Sequence, residues 1–406
     1  MKNKYLPTAL ALYINYFVHG MGAIILAQNM SFLQVQLNTD KAGVAYVISA
    51  LGIGRLIALA ISGVLSDKFG RKPTVYAGML IYAGFFISIL FAPNVQIAFV
   101  LALLAGIANS VLDAGTYPAL IESFPTAAGT ANIIIKAFIS AGQFTLPVII
   151  GLIITNNWYW GISFIIPVVL FVLNAIFMIK LPFPSHIVSK GKEDKEEAQS
   201  TKVFASKPNF FIEGFAVIMI AFTATATFLI VQTWLPTYGE EVVGMTNTSA
   251  LKLVSYYSAG SLASVFLTSY LVKSLIKPVY IVLVYPLMSF FVLLGVAFIQ
   301  TPLMVIAGSF LIGFFAAGGV LQLALVVMTE FFNGKKGTMT GIFMTMSSVA
   351  SAVIPAVTGA LAESNVTNII HFGSGVTFVG VILATVVLVR YRKVMKVENK
   401  SGSVAA

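Results

Sequence analysis

The 406-residue chain contains no cysteine and only three histidines, His19, His186 and His371. A disulfide framework and a thiolate metal site are therefore impossible, and histidines so scattered argue against a histidine metal centre. No metal and no cofactor is expected. Charge is scarce as well. Asp, Glu, Lys and Arg make up 9% of the chain, against roughly 25% in a soluble domain whose surface must face water. That excludes a water-soluble globular enzyme. Disorder is excluded by 58% apolar residues and 12% aromatics, which do not leave a chain solvated. A phosphate-cradling G-x-x-x-x-G-K-[ST] loop is also missing, so ATP is not the expected energy source. No nucleophile–base arrangement marks an enzyme.

What the chain has instead is long apolar runs. A bilayer core ~30 Å thick takes ~20 apolar residues per crossing helix. That ruler gives twelve runs: 7–33, 43–66, 74–92, 95–121, 129–155, 159–181, 210–236, 250–272, 278–299, 302–331, 337–361 and 367–391. The first is too long for a cleaved signal peptide and is interrupted by Asn15, His19, Gln28 and Asn29. The formal charge of +10 is not a nucleic-acid footprint, because the cations sit in short clusters between the runs. Lys2, Lys4, Lys68, Arg71, Lys72, six lysines from Lys180 to Lys207, Lys273, Lys277, Lys335, Lys336 and the tail from Arg390 to Lys400 all fall on one side. The other side keeps Lys41 and Lys252. The positive-inside rule makes the crowded side cytoplasmic and puts both termini there. The expected fold class is an all-α polytopic membrane protein, multi-pass in the plasma membrane.

Residues 182–208 form the one long polar connection, with Pro182, Pro184 and a mixed-charge run from Lys190 to Glu197. Such a segment cannot bury a core and reads as a cytoplasmic linker. It divides the chain into residues 1–181 and 209–406, each with six runs. The halves echo one another at an offset of 208 residues. Glu122, Phe124, Gly129, Pro147 and Gly151 recur as Glu330, Phe332, Gly337, Pro355 and Gly359. A duplicated six-helix unit places a substrate site between the halves, near the midplane.

Between the second and third runs the chain reads Gly63-Val-Leu-Ser-Asp67-Lys-Phe-Gly70-Arg71-Lys72-Pro73. Gly63 is expected to allow close helix approach, Gly70 a turn at positive φ, and Asp67 to face the positive end of a neighbouring helix. Arg71 can reach Glu122 at the end of the fourth run. This stretch resembles the loop motif of the major facilitator superfamily, and the resemblance implies twelve helices in two six-helix halves. It also implies that Asp67, Gly70, Arg71 and Glu122 latch one conformational state. The second-half loop around Lys273 to Pro278 lacks the glycines and the aspartate. Further stretches carry a closer resemblance: His19-Gly20, Ala27-Gln-Asn-Met30, Gly54-Arg55-Leu56, Gly106-Ile-Ala-Asn109-Ser, Asp113-Ala-Gly-Thr-Tyr-Pro-Ala119, Lys136, Gly142-Gln143, Ser255-Tyr-Tyr-Ser258 and Ala316-Ala-Gly-Gly319. They resemble the YdiN/YdiM family of bacterial inner-membrane transporters. The setting of that family beside shikimate and quinate metabolism implies a polar cyclic acid as substrate.

An ionisable group at mid-bilayer costs several kcal/mol unless paired or hydrated, so each one is a candidate functional residue. Four lie well inside runs: His19, Arg55, Asp113 and Lys136. Arg55 can hold a carboxylate in a bidentate fork or form a structural ion pair with Asp113 at similar depth. Asp113 is the candidate proton carrier, since a carboxyl that moves between a dry pocket and an arginine gains and loses proton affinity. Lys136 can neutralise an anion or snorkel to the headgroups, and His19 can relay a proton or bridge helices. Asn109, Gln143, Gln232, Tyr256, Tyr257 and Gln322 are candidates for binding hydroxyls, though polar groups also bridge transmembrane helices. Trp158 and Trp160 read as interfacial anchors, and Trp234 as an anchor or a cap on the cavity. Helix five lacks the full antiporter motif and helix four the arginine motif of drug antiporters. The expectation is a secondary transporter, proton-coupled and monomeric, for a small polar organic solute. Three alternatives remain: a sugar transporter or drug exporter of this fold, a non-transporting sensor, and a lipid flippase.

Overall fold

Proline and short polar side chains set where the helices begin. A computed structural model describes residues 3–184, 208–332 and 336–395. Its membrane helices are α1 (Leu6–Gln28, continued after Asn29 by Met30–Leu37), α2 (Lys41–Phe69), α3 (Arg71–Ser88), α4 (Val95–Ser123), α5 (Ala128–Thr155) and α6 (Ile162–Met178). They are followed by α7 (Phe215–Glu241), α8 (Asn247–Ser274), α9 (Pro278–Phe298), α10 (Pro302–Ala317 and Val320–Phe331), α11 (Lys336–Ala362) and α12 (Val366–Val394). Among the described residues eleven helices are long and apolar enough to cross a bilayer, and α6 is a shorter apolar helix of 17 residues.

Asn3, Lys68, Arg71, Lys72 and Arg390 lie at one end of this bundle, the basic face. Lys41 lies at the other, the far face. Four helices that start at the far face are capped by side-chain oxygens. Asp40 accepts from Gly43 N at 2.8 Å, Asn94 from Ile97 N at 3.0 Å, Thr301 from Met304 N at 3.4 Å and Asn365 from Thr367 N at 2.8 Å. Each satisfies an orphan N–H of a first turn. From the basic face, α1 has Pro7 in its first turn and α9 starts with Pro278, where a missing N–H costs nothing.

Two expected runs are interrupted. α1 breaks at Asn29, whose side chain turns back to Ile25 O at 2.9 Å, and the chain then stays helical to Leu37. The run 302–331 breaks at Gly318 and Gly319, the latter at φ 113°, a conformation glycine adopts without penalty. Residues 185–207 of the expected linker lie outside the described residues. So do residues 333–335 and those from 396 onward.

The two six-helix halves meet mainly through α2 against α11, α5 against α8 and α1 against α7. The α2–α11 contact is close only near the far face. A Cβ at Gly52 would run into the backbone of Ser351 and Ala352, and one at Gly359 would meet Ala45 and Ala42. Gly63 corrects an expectation. It lies eleven residues beyond Gly52, three turns along the same face of α2, yet a Cβ there would meet nothing within 4 Å. Gly341, eleven residues before Ala352 on α11, is equally open. The helices splay toward the basic face, so Gly63 has no close neighbour in this state. The buried core divides in the same way. One apolar cluster joins both halves near the far face, including Leu26, Met30, Ile48, Trp234, Tyr238 and Ile354. Near the basic face the second half keeps a separate cluster around Val217, Val327, Phe331, Phe343 and Val387.

Replacing Gly52 by valine forces α2 off α11. Overpacking of this kind costs about 1–3 kcal/mol, so Gly52→Val should lower the thermal unfolding temperature of the purified protein. Gly63→Val, at an open position, should leave that temperature unchanged in the same scan.

Candidate functional site

Arg55 and Asp113 are brought together by glycine. A Cβ at Gly54 would strike the carbonyl of Leu103, and one at Gly106 would strike the carbonyl of Leu51 and approach Arg55 N at 2.6 Å. With neither Cβ present, α2 and α4 touch backbone to backbone, and the Ser110 hydroxyl donates to Arg55 O at 3.0 Å. One turn further along α4, Arg55 Nη2 lies 3.3 Å from Asp113 Oδ2. The second carboxylate oxygen accepts from the Tyr16 hydroxyl of α1 at 2.6 Å. Three helices thus converge on one carboxylate. Arg55 Nε is buried and has no partner, so the guanidinium keeps unused donor capacity.

The rest of the cluster is aromatic and basic. Tyr16 meets His19 and Tyr117 edge-on, at ring separations of 5.8 and 5.9 Å. His19 Nδ1 lies 3.1 Å from the Tyr82 hydroxyl of α3. Arg55 and Lys136 are both within electrostatic reach of His19. All four ionisable residues expected inside the membrane therefore fall in one neighbourhood of the first half, where Arg55 pairs with Asp113 and Lys136 stands near His19. Tyr16, Tyr82 and Tyr117 were not anticipated. Helical spacing carries the signal for two of them, because Tyr16 lies three residues before His19 and Tyr117 four after Asp113.

The uncharged candidates divide by burial. Asn109 is half-buried, one turn before Asp113 on α4. Gln143, Gln232 and Tyr257 are buried, and Gln143 Oε1 and the Tyr257 hydroxyl have no partner. Tyr256 and Gln322 are exposed on the bundle. Trp234 is no cavity cap. It is fully buried and donates to Thr358 Oγ1 at 2.8 Å, pinning α7 to α11. Trp158 is exposed as an anchor would be, whereas Trp160 stacks on Phe32. A separate polar cavity of ≈ 630 Å³ opens at the far face, with Glu241, Gln300, Asn365, Asn368 and His371 in its lining.

At the basic face the loop motif forms a closed polar cluster. Gly70 takes φ 95° and turns the chain from α2 into α3. Arg71, 9% exposed, then donates to Asp67 at 2.6 Å, to Glu122 at 2.9 Å and to Ser66 Oγ at 2.9 Å. Ser66 in turn donates to Ala114 O at 2.7 Å. Asp67 therefore takes Arg71 as its partner in place of a helix terminus. In the second half, Glu330 accepts from Tyr391 at 2.8 Å, and the fully buried Glu213 pairs with Arg390 at 2.6 Å.

The sequence model of the Major Facilitator Superfamily matches residues 12–355 and 254–405. The chain belongs to this superfamily. Its relatives there include the inner membrane transport protein YdiM of Escherichia coli (strain K12), 42% identical over 405 residues, 100% of this chain and 99% of that one. The MFS-type transporter YfkL of Bacillus subtilis (strain 168) is 43% identical over 394 residues, covering 97% and 98%. Among solved structures, that of a D-xylose–proton symporter superposes with a TM-score of 0.74 at 14% identity, covering 93% of this chain and 96% of the other. The superfamily match and these relatives make the protein a multi-pass membrane transporter.

Within this member of the superfamily the motif cluster has an uneven energy distribution. Removing Arg71 leaves the Glu122 carboxylate and the Ser66 hydroxyl without their donor. The cost of breaking such a shielded pair is about 3 kcal/mol. Asp67 is largely in solvent, and its loss should cost under about 1 kcal/mol. Thermal unfolding of Arg71→Ala and Asp67→Ala should show a large and a small fall, in that order.

Proposed function

We propose that the protein is a proton-coupled secondary transporter that carries a small polar organic anion across the bacterial plasma membrane by alternating access. A hydroxylated carboxylate of the shikimate or quinate kind suits its charges best. The observation that carries this reading is Asp113, held by Arg55 on one oxygen and by Tyr16 on the other, in a neighbourhood that also contains Lys136. Two cations against one carboxylate leave a positive excess, which attracts a counter-anion. Protonation of Asp113 cancels its charge and frees the Arg55 fork for the substrate carboxylate, so proton and substrate load together. Lys136 and His19 add to the anion site. Asn109, Gln143, Gln232 and Tyr257 supply hydroxyl-binding groups, joined by Tyr256 and Gln322 where they face the hollow between the halves. The moving bodies are residues 1–181 and 209–406, joined by the linker 182–208, and the transporter works as a monomer. The basic face and both termini are cytoplasmic, as the lysine and arginine distribution requires. Asp67, Gly70, Arg71 and Glu122 form a cytoplasmic latch.

The substrate class is tested by thermal shift with shikimate, quinate, hexoses and aromatic acids. A ligand at about 100 times its Kd stabilises the folded state by about 2.7 kcal/mol, and a polar cyclic acid should give the largest shift. A larger response to hexoses defeats the anion reading. Arg55→Ala should lose that shift. Asp113→Asn in proteoliposomes should lose accumulation driven by a pH gradient while retaining substrate exchange. Gradient-driven uptake that survives the substitution rules out Asp113 as the proton carrier.

A further inference from the structure

Among the described residues, four side-chain links join the halves. Ser140 meets Ser261 at 3.2 Å, Ser255 donates to Phe144 O at 2.8 Å, Thr237 reaches Met30 Sδ at 4.0 Å, and Lys41 pairs with Glu241. The first two lie within the α5–α8 contact. The other two lie near the far face, where α2 and α11 are in close contact and one apolar cluster spans both halves. The clusters at the basic face, Arg71 with Glu122 and Arg390 with Glu213, each stay within one half. Lys41, the first residue of α2, and Glu241, the last of α7, are thus the one ion pair that crosses from half to half among the described residues.

We propose that Lys41–Glu241 is the lock of the far gate, an ion pair that holds the transporter closed at that face and is released each time the gate opens. Lys41 and Glu241 are 28% and 42% exposed. A pair so placed shifts an equilibrium by no more than about fivefold, enough to set a gate and too little to hold a fold. Glu241 also lines the ≈ 630 Å³ cavity at this face, so dissolved ions reach the lock directly.

The inference goes beyond the substrate reading and does not depend on it, because its test needs no substrate. The chain has no cysteine, so Met30→Cys gives a single thiol. Met30 is 6% exposed and faces Thr237 of the other half, which makes its reaction with a polar maleimide in lipid nanodiscs a gauge of the seam. Added to that parent, Glu241→Gln and Lys41→Gln should each raise the labelling rate about three- to fivefold. The charge-swapped pair Lys41→Glu with Glu241→Lys should return it to the parent value. Raising salt to about 1 M, which shortens the Debye length to ~3 Å and supplies competing ions, should speed labelling of the parent and leave the Glu241→Gln variant unchanged. Equal rates in all variants, a rise that the swap does not reverse, or a salt response that survives Glu241→Gln would each overturn the lock.

Discussion

Arg55 reaches Asp113 only because α2 and α4 lie in backbone contact at Gly54 and Gly106. In a bilayer no bulk water stands ready to solvate a stray charge, so a cation and a carboxylate at depth must find each other or water. Two missing Cβ atoms make that meeting possible. The carboxylate then recruits Tyr16 from α1, and the edge contacts of Tyr16 with His19 and Tyr117 tie the first and fourth helices around it. Much of what distinguishes the first half chemically from the second follows from this one helix contact. The second half's own ion pair, between Glu213 and Arg390, stays at the basic face.

The two faces of the bundle are held by different physics. At the basic face, glycine at positive φ sets Arg71 inside a ring of oxygen acceptors from α2 and α4, a strong arrangement confined to one half. At the far face, packing of small residues and, among the described residues, one half-exposed ion pair connect the halves. The shielded polar cluster thus lies within a half, and the exposed ion pair lies between the halves.

The loop cluster was legible in the sequence because its members are tied by short spacing: Arg71 lies four residues after Asp67, and the 208-residue echo marks Glu122 as a helix end. The pairing of Arg55 with Asp113 was legible too, since charges inside apolar runs are rare and must be matched. Tyr82 was not, because tyrosine is ordinary in a membrane helix and no spacing ties this one, on α3, to the charged residues of its neighbours. Gly63 was misread for a different reason. Its role depends on how close α11 stands, and that distance is a property of the conformational state. Lys41 looked like an exception to the charge rule until Glu241, 200 residues away, was seen beside it. Such a partner leaves no trace in local pattern.

Two hydrogen bonds inside the second half have a mechanical consequence. Thr225 meets Ser347 at 2.8 Å, and Trp234 donates to Thr358 at 2.8 Å. These rungs, about 14 Å apart along α7, rivet α7 to α11. Yet α7 carries one far-face contact, with α1, and α11 carries another, with α2. Coupled in this way, the two fronts are carried by one braced pair of helices.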